Sequence, residues 1–373
     1  MNKQLIGLCC LLPFFLQAQA PTPSAEDYYH QASAYFDTGN YEMATNYYSE
    51  VLRLNQDFSN AWFNRGLAWY SLGKYHKALY DFSQVIQRSS QDVEAYENRA
   101  RVRFLLQDYV GAIDDYDRAI AIAPTAMLFS NRGMAKNLIG QQESALRDFQ
   151  SAAGMTPDDA EIYGNIGDVF FDTGRYQEAV DYYAKAHRLN PSDQLYLNNR
   201  ANAYIKLNQP EQAMFDYEAA LQLQPDPEIL ANRGLLRIQH GLDEQAKSDC
   251  LESLRMDNKN ARAYSCVAMV QLRSGNFAKA IELFDLSIEM GDQHADTYNA
   301  RGMARHLGGH YHDALLDFNR AIGLDAGYSD AYSNRGASKY MLGDFHGAIA
   351  DQNEAIKRNG ENAIAYTRLE TCY

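Results

Sequence analysis

Apolar and polar residues follow a helical spacing along almost the whole chain, and the pattern recurs every 33 or 34 residues. Ten repeat units fill the span from Ala25 to Asn362: eight contain 34 residues, and the two that begin at Val93 and Gln194 contain 33. Within each unit a short polar turn separates two segments of helical period. The pattern therefore predicts two helices per unit and an all-α fold.

Small residues occupy two fixed places in every unit. The eighth place is always Gly or Ala, and the twentieth place is always Ala. Two small residues twelve places apart let two antiparallel helices approach closely. Between them, the fifteenth place is Gly in eight units and Asn208 in another, and both residue types tolerate the left-handed conformation that ends a helix. Large apolar residues such as Trp62 and Phe82 fill the fourth and twenty-fourth places. Proline closes the second helix in four units: Pro124, Pro157, Pro191 and Pro225.

This framework resembles the tetratricopeptide repeat, in which aromatic, Gly, Ala and Pro residues recur in the same order. The resemblance covers residues 25–362. It implies an α-solenoid in which antiparallel helix pairs wind into a right-handed superhelix, with the first helix of each pair on the concave face. Because one unit cannot bury its apolar face alone, stability would come from neighbouring units. Residues 363–373 predict one more first helix with the charged Glu370 at its eighth place, and we expect it to cap the stack.

The first 20 residues differ from the rest of the chain. Lys3 precedes an apolar run from Leu5 to Leu16, and small residues follow at Ala18 and Ala20. This layout is typical of a secretory signal peptide, and the apolar run is too short to span a bilayer. We therefore predict a signal peptide at 1–20, cleaved after Ala18 or Ala20, and a short linker at 21–24. The protein is expected to be exported, either periplasmic or secreted, and a bacterial source is favoured.

Charge and cysteine content narrow the function classes. The formal net charge is −14, so phosphate backbones would be repelled and we expect no nucleic-acid partner. Without the leader, three cysteines remain, and these do not make a disulfide framework. Cys250 and Cys266 fall on neighbouring helices, so one bridge is feasible, but buried free thiols are favoured. His306, His310 and His312 are the only hint of a metal site, and the last two fall in a polar turn. We expect no enzyme activity, no metal and no cofactor.

The seventh place is Arg in seven units, which could suggest an anion-binding ladder. The same seven units carry Asp at the twenty-third place, and the three units without the Arg also lack the Asp. A partly buried Arg is tolerated only when its charge and donors are matched. We therefore predict an ion pair between the two helices of each of these units: Arg65 with Asp81, Arg99 with Asp115, Arg132 with Asp148, Arg200 with Asp216, Arg233 with Asp249, Arg301 with Asp317, and Arg335 with Asp351.

The sixth place offers the candidate partner-binding residues. One side-chain amide per unit on the groove side could serve the backbone donors and acceptors of an extended peptide. An alternative left open is that each Asn bonds a neighbouring helix. Aromatic groove residues would add adaptable protein contacts, unless they belong to the core between units. The candidates are Asn64, Asn98, Asn131, Asn165, Asn199, Asn232, Phe63, Tyr70, Phe104 and Phe171.

These features favour an extracytoplasmic scaffold that binds proteins or peptides along a concave groove. Family members that clamp a C-terminal carboxylate use Lys at the second and fifth places, and this chain has Lys at neither. Two alternatives remain: a structural subunit of an envelope or secretion assembly, and a glycan-binding accessory protein.

Overall fold

A computed structural model of the chain describes residues 23–372. All regular structure in this range is α-helical, in 21 helices. The predicted signal peptide and the first two linker residues lie outside the described range, so the structure does not test the prediction of export. None of the described helices is long and apolar enough to cross a membrane.

The chain divides into two compact modules, and each is described by itself. The N-terminal module ends at Pro157, and the C-terminal module begins at Asp158. The N-terminal module contains α1 (Ala25–Asp37), α2 (Tyr41–Leu54), α3 (Ser59–Ser71), α4 (Tyr75–Arg88), α5 (Val93–Leu105), α6 (Tyr109–Ile122), α7 (Ala126–Leu138) and α8 (Gln142–Met155). The C-terminal module contains α9 (Ala160–Asp172), α10 (Tyr176–Leu189), α11 (Gln194–Lys206), α12 (Pro210–Leu223), α13 (Pro227–Gln239), α14 (Asp243–Met256), α15 (Ala261–Arg273), α16 (Phe277–Glu289), α17 (Ala295–Leu307), α18 (Tyr311–Leu324), α19 (Ser329–Met341), α20 (Phe345–Arg358) and α21 (Ala363–Thr371).

Helices pack in consecutive pairs within each module. The closest associations join α1 with α2 and so on to α7 with α8, and then α9 with α10 and so on to α19 with α20. The last helix, α21, packs on α20 and α19. Short turns join the two helices of a pair, so the pairs are antiparallel. The predicted all-α solenoid of helix pairs is confirmed, and its superhelical winding stays a prediction.

The small residues at the eighth place create room for a ring from the second helix. A methyl group added at Gly66 would lie 2.9 Å from Phe82 Cε1, and one added at Gly302 would lie 2.7 Å from Phe318 Cε1. The turn residue at the fifteenth place has positive φ in every pair, including φ 62° at Gln107 and φ 55° at Asn208. Gln107 shows that the turn geometry persists even where no Gly or Asn occupies the place.

All seven predicted Arg–Asp pairs are present, so this prediction is confirmed. In each pair, Nε and Nη2 of the Arg donate to the two carboxylate oxygens of the Asp across 2.5–3.1 Å. The Asp side chains are buried, while the Arg side chains keep between 14% and 18% of their surface exposed. This bidentate geometry matches each guanidinium with a carboxylate and uses two of its five N–H donors, so these seven Arg side chains do not form a ladder of free cations.

The third nitrogen of several of these Arg side chains reaches the preceding helix pair. Nη1 of Arg65 donates to Ser49 Oγ across 2.9 Å, and Nη1 of Arg301 donates to Asp285 Oδ1 across 2.6 Å. The Arg therefore joins three helices rather than two. We call each Arg–Asp pair with its additional partners an interhelical brace.

The prediction that Cys250 and Cys266 are buried free thiols is wrong. The structure records a disulfide between Cys250 of α14 and Cys266 of α15, with Cα atoms 5.9 Å apart, where buried free thiols were expected. Both residues are fully buried. Cys250 stands at the twenty-fourth place, where eight of the other nine units carry an aromatic ring, and a methyl group at Gly234 would lie within 2.8 Å of both sulfur atoms. The disulfide fills the position of the ring and also links one helix pair to the next.

Candidate partner-binding site

The sixth-place asparagines of the N-terminal module have different partners. Asn64 Nδ2 donates to the hydroxyl of Tyr29 on the preceding first helix across 2.8 Å. Asn98 Nδ2 donates to the backbone oxygen of Glu94 in its own helix, also across 2.8 Å. Asn131 has no side-chain hydrogen bond to a residue of the described range. The alternative of a bond to the neighbouring helix therefore applies to Asn64 alone among these three.

In the C-terminal module the asparagines form a hydrogen-bonded chain across three first helices. Asn199 Nδ2 donates to Asp168 Oδ1 across 3.3 Å, and Asn198 Nδ2 donates to Asn199 Oδ1 across 3.3 Å. Asn232 Nδ2 then donates to Asn198 Oδ1 across 3.4 Å. We call Asn198, Asn199 and Asn232 the amide chain. Each of its amides uses one N–H in these bonds, so each retains a second N–H for a further acceptor.

Asn165 differs from the other candidates because its amide donor is enclosed. Its Nδ2 atom is buried and has no hydrogen-bond partner among the described residues. A buried polar atom without a partner is costly, since it has lost its water and gained nothing in exchange. Because the side chain of Asn165 lines a cavity, turning its amide toward that cavity would let Nδ2 meet an acceptor of a partner and would remove that cost.

The candidate aromatic residues pack against rings of their own helix pair. Phe63 lies edge-on to Phe82, with ring centroids 5.7 Å apart. The three residues at the twelfth place contact the aromatic residue that begins the second helix, at centroid distances of 5.3–5.9 Å: Tyr70 with Tyr75, Phe104 with Tyr109, and Phe171 with Tyr176. All four remain partly exposed. Each ring therefore helps to hold the turn while leaving one part of its surface for other contacts.

Two cavities open on the first-helix side of the C-terminal module. The first, of about 600 Å³, lies between α9 and α11, and we call it the acidic cavity because Asp159, Glu161, Asp168 and Asp193 are among its lining residues. Asn165 and Asn199 also line it.

The second cavity, of about 570 Å³, is lined by residues of α9, α11, α12, α13, α15 and α17 and of the turn before α19. We call it the mixed cavity, because apolar side chains such as Ile205 and Leu235 line it together with charged ones. Asn232 of the amide chain belongs to this cavity, so the chain connects the two.

Asp168 is the electrostatically unusual residue of the acidic cavity. The hydroxyl of Tyr183 donates to its Oδ1 across 2.7 Å, and Asn199 donates to the same oxygen. Burial raises the pKa of Asp168, and the nearby Asp172 raises it further. Among the described residues no Lys, Arg or His forms an ion pair with Asp168, whereas the buried aspartates of all seven braces have an Arg.

Several polar residues of this face were not identified from the sequence. Asn198 stands at the fifth place, where Asn299 is the one other Asn among the ten units, so no periodic signal marks it. Asn202 accepts a hydrogen bond of 2.5 Å from the hydroxyl of Tyr217, and both line the mixed cavity. Within residues 23–372, no group of three or more His, Cys, Asp and Glu side chains could hold a metal ion.

The fold and this face define a helical-repeat protein with a polar first-helix surface. Models of the family described as tetratricopeptide repeat match residues 160–193 and 195–227, and also 29–92, 70–126 and 267–329, which together make up more than half of the chain. The chain belongs to the tetratricopeptide repeat family. Members of this family bind proteins or peptides, and the fold is typically that of a scaffold without enzyme activity.

Comparisons with individual proteins agree on the fold. A curated relative, the small glutamine-rich tetratricopeptide repeat-containing protein 2 of Mycosarcoma maydis, is 39% identical over 62 residues, or 16% of this chain and 18% of that protein. The match thus spans less than a fifth of the relative. A chain in the crystal structure of the APC/C hetero-tetramer Cut9-Hcn1 is similar with a TM-score of 0.59 and 14% identity, over 93% of this chain and 76% of that one. A tetratricopeptide repeat protein from Parabacteroides merdae is similar with a TM-score of 0.52 and 23% identity, over 66% of this chain and 98% of that one.

Proposed function

We propose that this protein is an extracytoplasmic scaffold of ten repeats that binds a protein or peptide partner along the first-helix face of its C-terminal module. The observation that carries the proposal is the amide chain between the two cavities. An extended peptide presents N–H and C=O groups at regular spacing, and side-chain amides can satisfy both kinds of group.

The dimensions of the face agree with such a partner. The two cavities have volumes of about 600 Å³ and 570 Å³, which is the range of pockets that enclose small ligands or a few side chains. The mixed cavity is lined by apolar surface from Leu235 and Tyr217 and by amide groups from Asn202 and Asn232. A segment that alternates apolar and polar side chains would therefore match the lining.

Two features support an extracytoplasmic location. The first 20 residues carry the sequence pattern of a secretory leader. In addition, the fully buried Cys250–Cys266 disulfide is of a kind that forms and persists in oxidising compartments and is rare in the cytosol. Fractionation of the source cell with intact-mass measurement of the mature chain tests the location. A chain that retains Met1 and stays in the cytoplasm would contradict it.

The groove is tested by a matched pair of variants in a crosslinking pull-down from the envelope fraction. Asn165→Ala with Asn232→Ala removes amides from both cavities. Asn353→Ala, on the exposed surface of the second helix α20, is the control. We expect the double variant to lose a partner that the wild-type chain and the control both recover. Equal recovery by all three would overturn the proposal and favour binding through outer surfaces, as in a structural subunit.

A further inference from the structure

We propose that the first-helix face of the C-terminal module selects basic partner segments: extended stretches in which Lys or Arg alternate with apolar residues. This inference rests on the proposed peptide-binding function and specifies the chemistry of the partner. It is carried by the charge of the two cavities, the amide chain between them, and the buried donor of Asn165.

Carboxylates dominate the acidic cavity. Five of its lining residues are acidic and none is Lys, Arg or His. Over the whole chain acidic residues outnumber Lys and Arg only by 48 to 34, so the cavity is far more acidic than the average surface. The five are Asp158, Asp159, Glu161, Asp168 and Asp193.

The mixed cavity is also acidic once internal pairing is considered. It contains Glu228, Asp296 and Asp325 together with Lys206, Arg262 and His294.

Arg262 does not offer a free charge, because its Nη1 and Nη2 donate to the two carboxylate oxygens of Asp296 across 2.9 Å and 2.7 Å. His294 Nδ1 lies 2.8 Å from Oδ1 of the buried Asp292. Lys206 is then the one cationic lining residue of the mixed cavity without an internal acidic partner among the described side chains.

The amide chain makes the two cavities parts of one surface. Asp168 and Asn199 line the acidic cavity, Asn232 lines the mixed cavity, and Asn198 joins them by hydrogen bonds. An extended segment that follows this chain would place alternate side chains toward the first helices. Its backbone would meet the amides, and its basic side chains would meet the carboxylates on either side.

Asp168 and Asn165 give this surface a specific centre. Asp168 is a half-buried carboxylate that accepts only from neutral donors, so a cation is the group that would complement its charge. Asn165 Nδ2 is a buried donor without a partner, and it would donate to a backbone carbonyl of the same segment. A basic residue in an extended chain supplies both groups at once.

The test uses fluorescence anisotropy of the mature full-length chain with three labelled probes of about ten residues, a length that an extended chain needs to follow several helices. The probes alternate Leu with Lys, Leu with Gln, or Leu with Glu. We expect the Lys probe to bind at least about tenfold more tightly than the Glu probe at low salt, and the difference to shrink as salt screens the charges.

An acidic protein attracts any polycation, so variants must separate the site from the general field. Asp168→Asn keeps an acceptor for Tyr183 and removes the charge. Glu228→Gln removes one charge from the mixed cavity at an exposed place. Each should weaken the Lys probe about threefold to fivefold, the size of one partly screened ion pair. Glu211→Gln, on the exposed surface of α12, removes the same charge away from both cavities and should have no effect.

The inference and the underlying function fail in different ways. If Glu211→Gln weakens the Lys probe as much as Asp168→Asn does, or if neither site variant changes its affinity, selection of basic segments by this face is overturned. If the Gln probe then still binds and loses affinity in the Asn165→Ala, Asn232→Ala variant, the peptide groove stands without the charge selection. If this variant binds all probes as the wild type does, the groove itself is overturned.

Discussion

Helix pairs α7/α8 and α9/α10 have the same backbone arrangement, yet their helices are held together by opposite means. In α7/α8, the brace consists of Arg132 and Lys136, which both donate to the buried Asp148 across 2.5–2.8 Å. Arg132 also donates to Asp117 of α6 across 2.6 Å. Four charged groups thus form one network between three helices.

In α9/α10, the places of Arg132, Lys136 and Asp148 are taken by Ile166, Phe170 and Tyr182. Ile166 and Phe170 are buried, and the rings of Phe170 and Tyr182 lie 5.2 Å apart. A packed apolar contact therefore joins the two helices in place of the charged brace. This is expected when a whole buried ion pair is exchanged for apolar residues of suitable shape.

The unbraced pair α9/α10 also differs at the groove. Its first helix α9 contains no basic residue. The carboxylate of Asp168 on this helix has only neutral hydrogen-bond donors. Asp168 stands two residues from both Ile166 and Phe170 and so does not share their face of the helix, which makes the apolar contact and the uncompensated carboxylate separate features of one pair.

The largest expected effect comes from breaking the brace on one side. Asp148→Ala leaves Arg132 and Lys136 without their shared acceptor, although their side chains are only 15% and 12% exposed. We expect the free energy of unfolding to fall by roughly 3 kcal/mol, because an unmatched charge stays in a largely dry site. Thermal and denaturant unfolding of the purified chain measure the loss.

A triple variant is the control for this comparison. Arg132→Ile, Lys136→Phe and Asp148→Tyr together reproduce the arrangement of α9/α10 in α7/α8. We expect the triple variant to be clearly more stable than Asp148→Ala alone, despite its greater number of changes. If the single variant unfolds like the wild type, or the triple variant is the weaker of the two, the brace is not a coupled unit.

The second unbraced pair of the C-terminal module, α15/α16, is tied to its neighbour by the disulfide instead. Replacing Cys250 and Cys266 by Ala should lower the free energy of unfolding by about 2 kcal/mol, at the lower end for a native disulfide because the residues are only 16 apart in sequence. Wild-type protein unfolded in the presence of a thiol reductant should show the same loss. Cys372→Ser removes the remaining described cysteine and should change little, and identical unfolding with and without reductant would contradict the prediction.

The sequence was sufficient to predict the Arg–Asp pairs of the braces, because Arg and Asp change together across the ten units. The contact between them therefore leaves a periodic signal. A second cation stands four residues after the Arg in five braced units and leaves the same kind of signal, although the sequence prediction names the Arg and Asp alone. These second cations are Arg103, Lys136, Arg237, Arg305 and Lys339. A spacing of four residues places both cations on one helical face.

Other features do not follow from periodicity. The sixth-place asparagines look equivalent in sequence, but Asn64 bonds Tyr29 while Asn199 bonds Asp168, because the fifth and ninth places of the preceding helix differ. The disulfide was not favoured since burial alone is equally compatible with two thiols. Whether two buried sulfurs bond depends on the distance between side chains, which the repeat pattern does not specify.

The smallest expected effect concerns the charge of Asp168 on α9, the helix that takes the place of α7 in the comparison. Burial raises the folded-state pKa of Asp168 above its unfolded value, so its contribution to stability is present at low pH and is lost as pH rises through the folded pKa. Asp168→Asn cannot ionise, and it should therefore raise the free energy of unfolding at neutral pH by less than about 1 kcal/mol. At a pH below the usual aspartate pKa the two proteins should unfold alike. Asp158→Asn, at an exposed place of the same cavity, should change neither condition. Thermal unfolding curves of the wild type and of Asp168→Asn at the two pH values test this prediction. If Asp168→Asn is less stable than the wild type at neutral pH, the charge of Asp168 is already compensated. The acidic cavity would then have no need of a cationic partner.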